Sequence, residues 1–138
     1  MNRQQTYLPD YDWRVTVITD FTCRDTAKVA EALANTGCLG DCMLRARDNM
    51  EACETETGLT FSNAAMRESV SVVYRASYFG GFINTLTHEM DHVAKHIALA
   101  CGVDVFSEEA SDIAGSLMEA QKVLITQEIQ RQWQQQDK

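Results

Sequence analysis

Apolar and polar positions recur along this chain at two different periods. Residues 13–19, Trp13-Arg-Val-Thr-Val-Ile-Thr19, alternate one by one and are rich in β-branched side chains, which predicts a strand. Over 22–35, Val29, Ala30 and Leu33 fall at helical spacing, and Gly37 is placed to stop that helix. Leu39, Met43, Ala46, Met50 and Cys53 then recur at steps of three and four, which predicts a second helix. Residues 58–63 and 69–74 are two short β-like runs joined by a polar link, the pattern of a hairpin. Residues 79–101 read as one long helix with Phe82, Leu86, Val93 and Ile97 on one face and Gly102 just past its end. Ser107 is a good N-cap for a last helix to about residue 133, with Ala110, Ile113, Leu117, Ala120 and Leu124 inward. The order β-α-α-β-β-α-α predicts an α+β fold: a small, mainly antiparallel sheet with a hairpin and with helices on one face. Residues 1–11 and 134–138 are polar and read as loose ends of one domain spanning 1–138.

Composition narrows the classes. A chain of 138 residues with 45% hydrophobic and 23% charged residues can bury a core without staples. A net charge of −8 argues against a nucleic-acid partner, which calls for a basic face, and against an anionic membrane surface. The polar start shows no signal-peptide core, and no apolar run is long enough for a transmembrane helix, so a cytoplasmic protein is expected. The five cysteines are irregularly spaced, without a CxxC pair, and reduced thiols fit that expectation. Cys38 and Cys42, four apart, read as small buried hydrophobes rather than half of a metal site. Oligomeric state is silent, although Ile125, Ile129 and Trp133 would leave an apolar stripe on the last helix.

The chemistry lies in the long predicted helix. His88-Glu89-Met90-Asp91-His92 is an HExxH that uses two of the three histidines in the chain. Residues i and i+4 face the same side of a helix, about 6 Å apart along its axis, so two imidazoles can meet one Zn²⁺. Glu89 is rotated roughly 100° from His88. It stands off the ligand row, where a general base can reach a metal-held water. The longer HExxHxxGxxH pattern is absent, because Lys95 occupies the Gly position. His96 lies one more turn along and reads as a neighbour of the site or a surface residue.

A catalytic zinc site needs a third protein ligand and one open position. The next helix opens Ser107-Glu108-Glu109-Ala110-Ser111-Asp112. Glu108 and Asp112 share one face, so Glu108 could ligate the metal while Asp112 accepts the N–H of a liganding histidine. Acidic residues in a first turn also suit the helix dipole, which explains Glu108 and Glu109 equally well.

HExxH followed by a helix reading Glu-x-x-Ser-Asp resembles the gluzincin signature of thermolysin-like zinc metallopeptidases. The motif covers residues 88–113. A looser similarity over roughly 13–118, including the Gly58-Leu-Thr-Phe-Ser-Asn63 strand, is to small minigluzincin-like proteins of bacteria and phages. The resemblance implies a zincin-like fold, one Zn²⁺ and a peptide or protein substrate hydrolysed by a metal-activated water. It implies His88, His92 and Glu108 as ligands, Glu89 as catalytic base and Asp112 as partner of the first histidine. It also implies that a peptide lies along strand 58–63. Ser107 stands where the family has Asn, and the gap from His92 to Glu108 is short, 108 − 92 = 16 residues. The family draws its oxyanion donor, a His or Tyr, from beyond the glutamate helix. No such residue follows here, so the candidates are Tyr74, Tyr78, Arg67 and His96.

Overall fold

The computed structural model describes residues 1–136. Strands β1 (Asn2–Leu8), β2 (Trp13–Phe21), β3 (Gly58–Asn63) and β4 (Glu68–Tyr74) form one sheet in the order β1-β2-β4-β3. The outer pairs β1/β2 and β3/β4 are antiparallel hairpins, whereas β2 and β4 pair in parallel. The protein is thus α+β, and among the described residues two of the three strand pairings are antiparallel, as expected, while the central one is parallel and makes the sheet mixed. The reason lies between the hairpins, where helices α1 (Thr26–Asn35) and α2 (Asp41–Glu51) make a crossover long enough for parallel pairing.

Helices cover both faces of the sheet, not one. Val29, Ala30, Leu33 and Met50 of α1 and α2 pack on Ile18, Phe21, Val70, Val72 and Tyr74. On the other face α3 (Phe79–Cys101) and α4 (Glu108–Glu119) pack Phe82, Leu86, Met90, Val93, Ile97, Ile113 and Leu117 on Trp13, Val15, Val17 and Val73. Central strands covered on both sides read as continuous buried runs. All of β4 from Ser69 to Tyr74 is buried. In β2 the alternation slips between Ile18 and Phe21, where Asp20 has φ +54°, and both of these residues reach the α1/α2 side.

The remaining differences are local. Residues 2–8, expected to be loose, pair along their whole length with β2; side chains that alternate between half-buried and exposed give little hydrophobic signal. The predicted last helix is two, α4 and α5 (Lys122–Gln136), broken at Ala120-Gln121 without Gly or Pro. The buried Gln121 donates its amide to the Leu117 carbonyl at 3.0 Å there. The turn lets α5 lie against both α3 and β1. Residues 134–136, expected to be loose, belong to α5, and 137–138 fall outside the described residues.

Helix α3 has the predicted bounds, ended by Gly102 at φ +72°, and Ser107 caps α4 by accepting from the Ala110 N–H. The cysteines are not all reduced. Cys23, before α1, and Cys53, after α2, lie 4.9 Å apart at Cα and form a disulfide across that helix layer. Cys38 is a buried free thiol, as its hydrophobic reading implies, and burial pushes it up to about 12. Among the described residues, no helix is long and apolar enough to cross a membrane.

Candidate metal centre

Strand alternation sends Thr60 and Ser62 of β3, and Ser69 and Ser71 of β4, toward α3. Leu59, Phe61, Val70 and Val72 go to the opposite face. In register, Thr60 faces Ser71 and Ser62 faces Ser69. Each pair is joined by a hydroxyl–hydroxyl hydrogen bond of 2.7 Å. The sheet thus presents two short hydroxyl ladders to the helix that carries HExxH.

On that helix His88 and His92 meet. Their Nε2 atoms are 3.0 Å apart, with the rings edge to face at a centroid distance of 4.6 Å. Glu89, one residue round, is 3% exposed and lies beneath β3. Its Oε2 accepts a hydrogen bond from Thr60 Oγ1 at 2.5 Å. The strand passes so closely that a Cβ at Gly58 would fall 2.2 Å from the Val72 carbonyl oxygen and 3.2 Å from Glu89 Cγ. Glycine is required there by proximity.

The potential ligand atoms of His88, Glu89 and His92 all lie within 4.8 Å of one another, the sole such group of three among the described residues. They open into a cavity of about 500 Å³ lined also by Glu56, Gly58, Thr60, Asn84, Thr85 and His96. Among the described residues, no Lys or Arg lines it. Two imidazole nitrogens about 2.0–2.1 Å from one tetrahedral ion would stand roughly 3.3 Å apart, so the observed pair fits a shared metal. At the cavity rim, Glu56 accepts from the Ser77 N–H at 2.6 Å and from the Ser77 hydroxyl. Those bonds hold its carboxyl below the usual range and pin the loop that leads into α3.

His96 shares the cavity one turn beyond His92, with ring centroids 6.4 Å apart. Its Nδ1 is 2.7 Å from Ser62 Oγ. Burial, and then the neighbouring His92, lowers its pKa from the ordinary histidine value, which favours the neutral ring. It stands outside the His88–Glu89–His92 group.

The acidic helix is elsewhere. Glu108 and Asp112 are exposed, and neither lines the histidine cavity. Glu109 accepts from the Tyr11 hydroxyl at 2.9 Å, in a separate hollow with Ala100, Cys101 and Val103. The first turn of α4 therefore sits at the C-terminal end of α3. His92 lies nine residues before that end (101 − 92), about 13 Å along the helix. The six-residue link, 102–107, is what puts the start of α4 there. The structure brings His88, Glu89 and His92 together and leaves Glu108 and Asp112 apart from them.

Of the four side chains considered as oxyanion donors, His96 alone lines the cavity. Tyr74 donates to Asn49 Oδ1 at 2.5 Å on the α1/α2 side, and burial raises its pKa. Arg67 donates to the Tyr11 carbonyl at 2.6 Å, near Cys101. Tyr78 is the exposed N-cap of α3. The hydroxyls of Thr60, Ser62, Ser69 and Ser71 escaped sequence reasoning. Their signal is Ser and Thr at the inward positions of two paired strands, where a core helix usually meets apolar side chains. Comparison with protein-family models, curated proteins and solved structures gives no match to this chain.

Proposed function

We propose that this chain is a small zinc-dependent hydrolase of peptide bonds with a zincin-like arrangement, as its gluzincin resemblance implies. The observation that carries this reading is the 3.0 Å approach of the His88 and His92 Nε2 atoms beside a buried Glu89 carboxylate held by Thr60. His88 and His92 would hold the ion. When bound, zinc supplies a water acidified to near neutral pH and a Lewis acid for the scissile carbonyl.

The protein's own groups do the rest. Glu89 takes the water's proton and delivers it to the leaving amine. Thr60 Oγ–H donates to the same carboxylate and fixes which oxygen is free for that work. Strand β3 is an edge of the sheet beside the cavity, so an extended peptide can add to its open side through main-chain hydrogen bonds. The two carboxylates of the lining, with no basic side chain beside them among the described residues, disfavour acidic side chains near the reacting bond.

A second reading has one observation in its favour. Glu108 stands at the far end of α3, so the described side chains supply two imidazoles and Glu89 rather than the three-ligand set of the resemblance. A zincin-like domain that keeps the metal, or only the fold, and binds a protein partner would need no more. Glu89→Gln separates the readings. Under the first, hydrolysis of a fluorogenic peptide library falls about 10²–10⁴-fold while zinc content by elemental analysis holds. A wild-type protein that carries zinc and cleaves nothing sinks the first. Loss of zinc in His88→Ala is expected under either metal-binding reading.

A further inference from the structure

The ladder that reaches His96 does not stop at the hairpin. Ser69 Oγ also receives the indole N–H of Trp13 at 2.9 Å, and both residues are buried, at 1% and 0% exposure. The chain of contacts is Trp13 Nε1, Ser69 Oγ, Ser62 Oγ, His96 Nδ1. An indole N–H can only donate, whereas a hydroxyl has one proton to give. With Trp13 donating to Ser69, the Ser69 proton is free for Ser62, and the Ser62 proton for the ring nitrogen. Each member then gives one proton outward and accepts one from behind. The opposite direction would leave the Ser69 proton pointing back at Trp13, with no acceptor there.

We infer that this relay holds His96 as the tautomer protonated on Nε2, and that its N–H serves the site cavity as the hydrogen-bond donor to the carbonyl oxygen of the bound peptide. The inference rests on the hydrolase reading above and adds a residue to it. His96 touches substrate; Ser62, Ser69 and Trp13 are positioning residues. Several observations converge on His96. It lines the cavity with His88, Glu89 and His92. It lies outside their ligand group. The other side chains considered for this task are engaged elsewhere or exposed. The hydroxyl ladder one step along the hairpin, Ser71 to Thr60 to Glu89, runs in the same direction, because a carboxylate can only accept.

The test uses the full-length chain with ¹⁵N-labelled histidine, with and without zinc. Long-range nitrogen–proton NMR spectra should show His96 with its proton on Nε2 and Nδ1 bare, and zinc should shift the His88 and His92 nitrogens far more than those of His96. In turnover of fluorogenic peptides, His96→Ala should lower kcat about 10²–10³-fold with zinc content unchanged. Ser62→Ala should lower kcat about tenfold at unchanged KM, and Ser62→Thr, which keeps the hydroxyl, should restore it. A proton on Nδ1 in the wild type overturns the relay. So does an unchanged kcat in Ser62→Ala. A zinc shift at His96 as large as at His88 makes it a ligand and overturns its donor role. Zinc-loaded wild type with the expected tautomer but no hydrolysis of any peptide overturns the hydrolase reading and the donor role together, while the same spectrum upholds the relay.

Discussion

The two faces of the β3–β4 hairpin are built from alternate residues of the same two strands and do different work. Leu59, Phe61, Val70 and Val72 face α1 and α2 and make only packing contacts. Thr60, Ser62, Ser69 and Ser71 face α3 and make directed hydrogen bonds that end on Glu89 and His96. Apolar contact is roughly proportional to area and indifferent to direction. A hydroxyl ladder fixes where a side chain points and where its proton lies. One face therefore holds the hairpin in place, and the other uses that placement to aim a site.

The largest effect should come from Gly58→Ala, which strains the main chain that both faces share. Its Cβ would meet the Val72 carbonyl at 2.2 Å and crowd Glu89, so we expect about 3 kcal/mol lost in urea unfolding, together with the activity. Val72→Ala strikes the apolar face alone: a loss of about 2 kcal/mol in the same unfolding curve, with zinc content and the His96 tautomer intact. Thr60→Val strikes the hydroxyl face alone. It should lower kcat about tenfold, with a stability loss below that of Val72→Ala, because it removes a hydrogen bond to a charged group and keeps the shape. If Val72→Ala proved the worse for turnover, the division of labour between the faces would be wrong. At the bottom of the scale, Glu108→Ala should leave zinc content unchanged by elemental analysis, since the residue lies exposed and outside the histidine cavity. Zinc loss there would mean that α4 reaches the histidines after all.

Much of the frame was legible in the chain. Helix α3 runs over the span its pattern indicates, from about residue 79 to 101, because a long amphipathic period ended by Gly102 has few alternatives. The meeting of His88 and His92 followed from the helical repeat alone. What failed depended on directions that local pattern does not encode. The run Trp13–Phe21 is apolar on both faces in its middle, a sign of a doubly covered strand that the alternation of its first residues obscured. Strand β1 is polar and visible only through its partner. The spacing from His92 to Glu108 is a length along the chain. It does not say that a short link puts the start of α4 against the far end of α3, beside Cys101. Ser69 and Ser71 look like ordinary strand residues until the register shows what stands opposite them.

The cavity is lined by residues between Glu56 and His96, a contiguous stretch of the chain, whereas the parallel pairing that seats Trp13 joins Arg14 to Glu68 across a separation of 68 − 14 = 54 residues. Closing the long connection costs more chain entropy than folding the hairpin onto its own helix, so topology favours the site unit early and the tryptophan late. Of the two tryptophans, Trp13 is fully buried and Trp133 is 70% exposed. Refolding followed by indole fluorescence therefore times the seating of the residue on which the relay to His96 depends, against a nearly constant signal from the other.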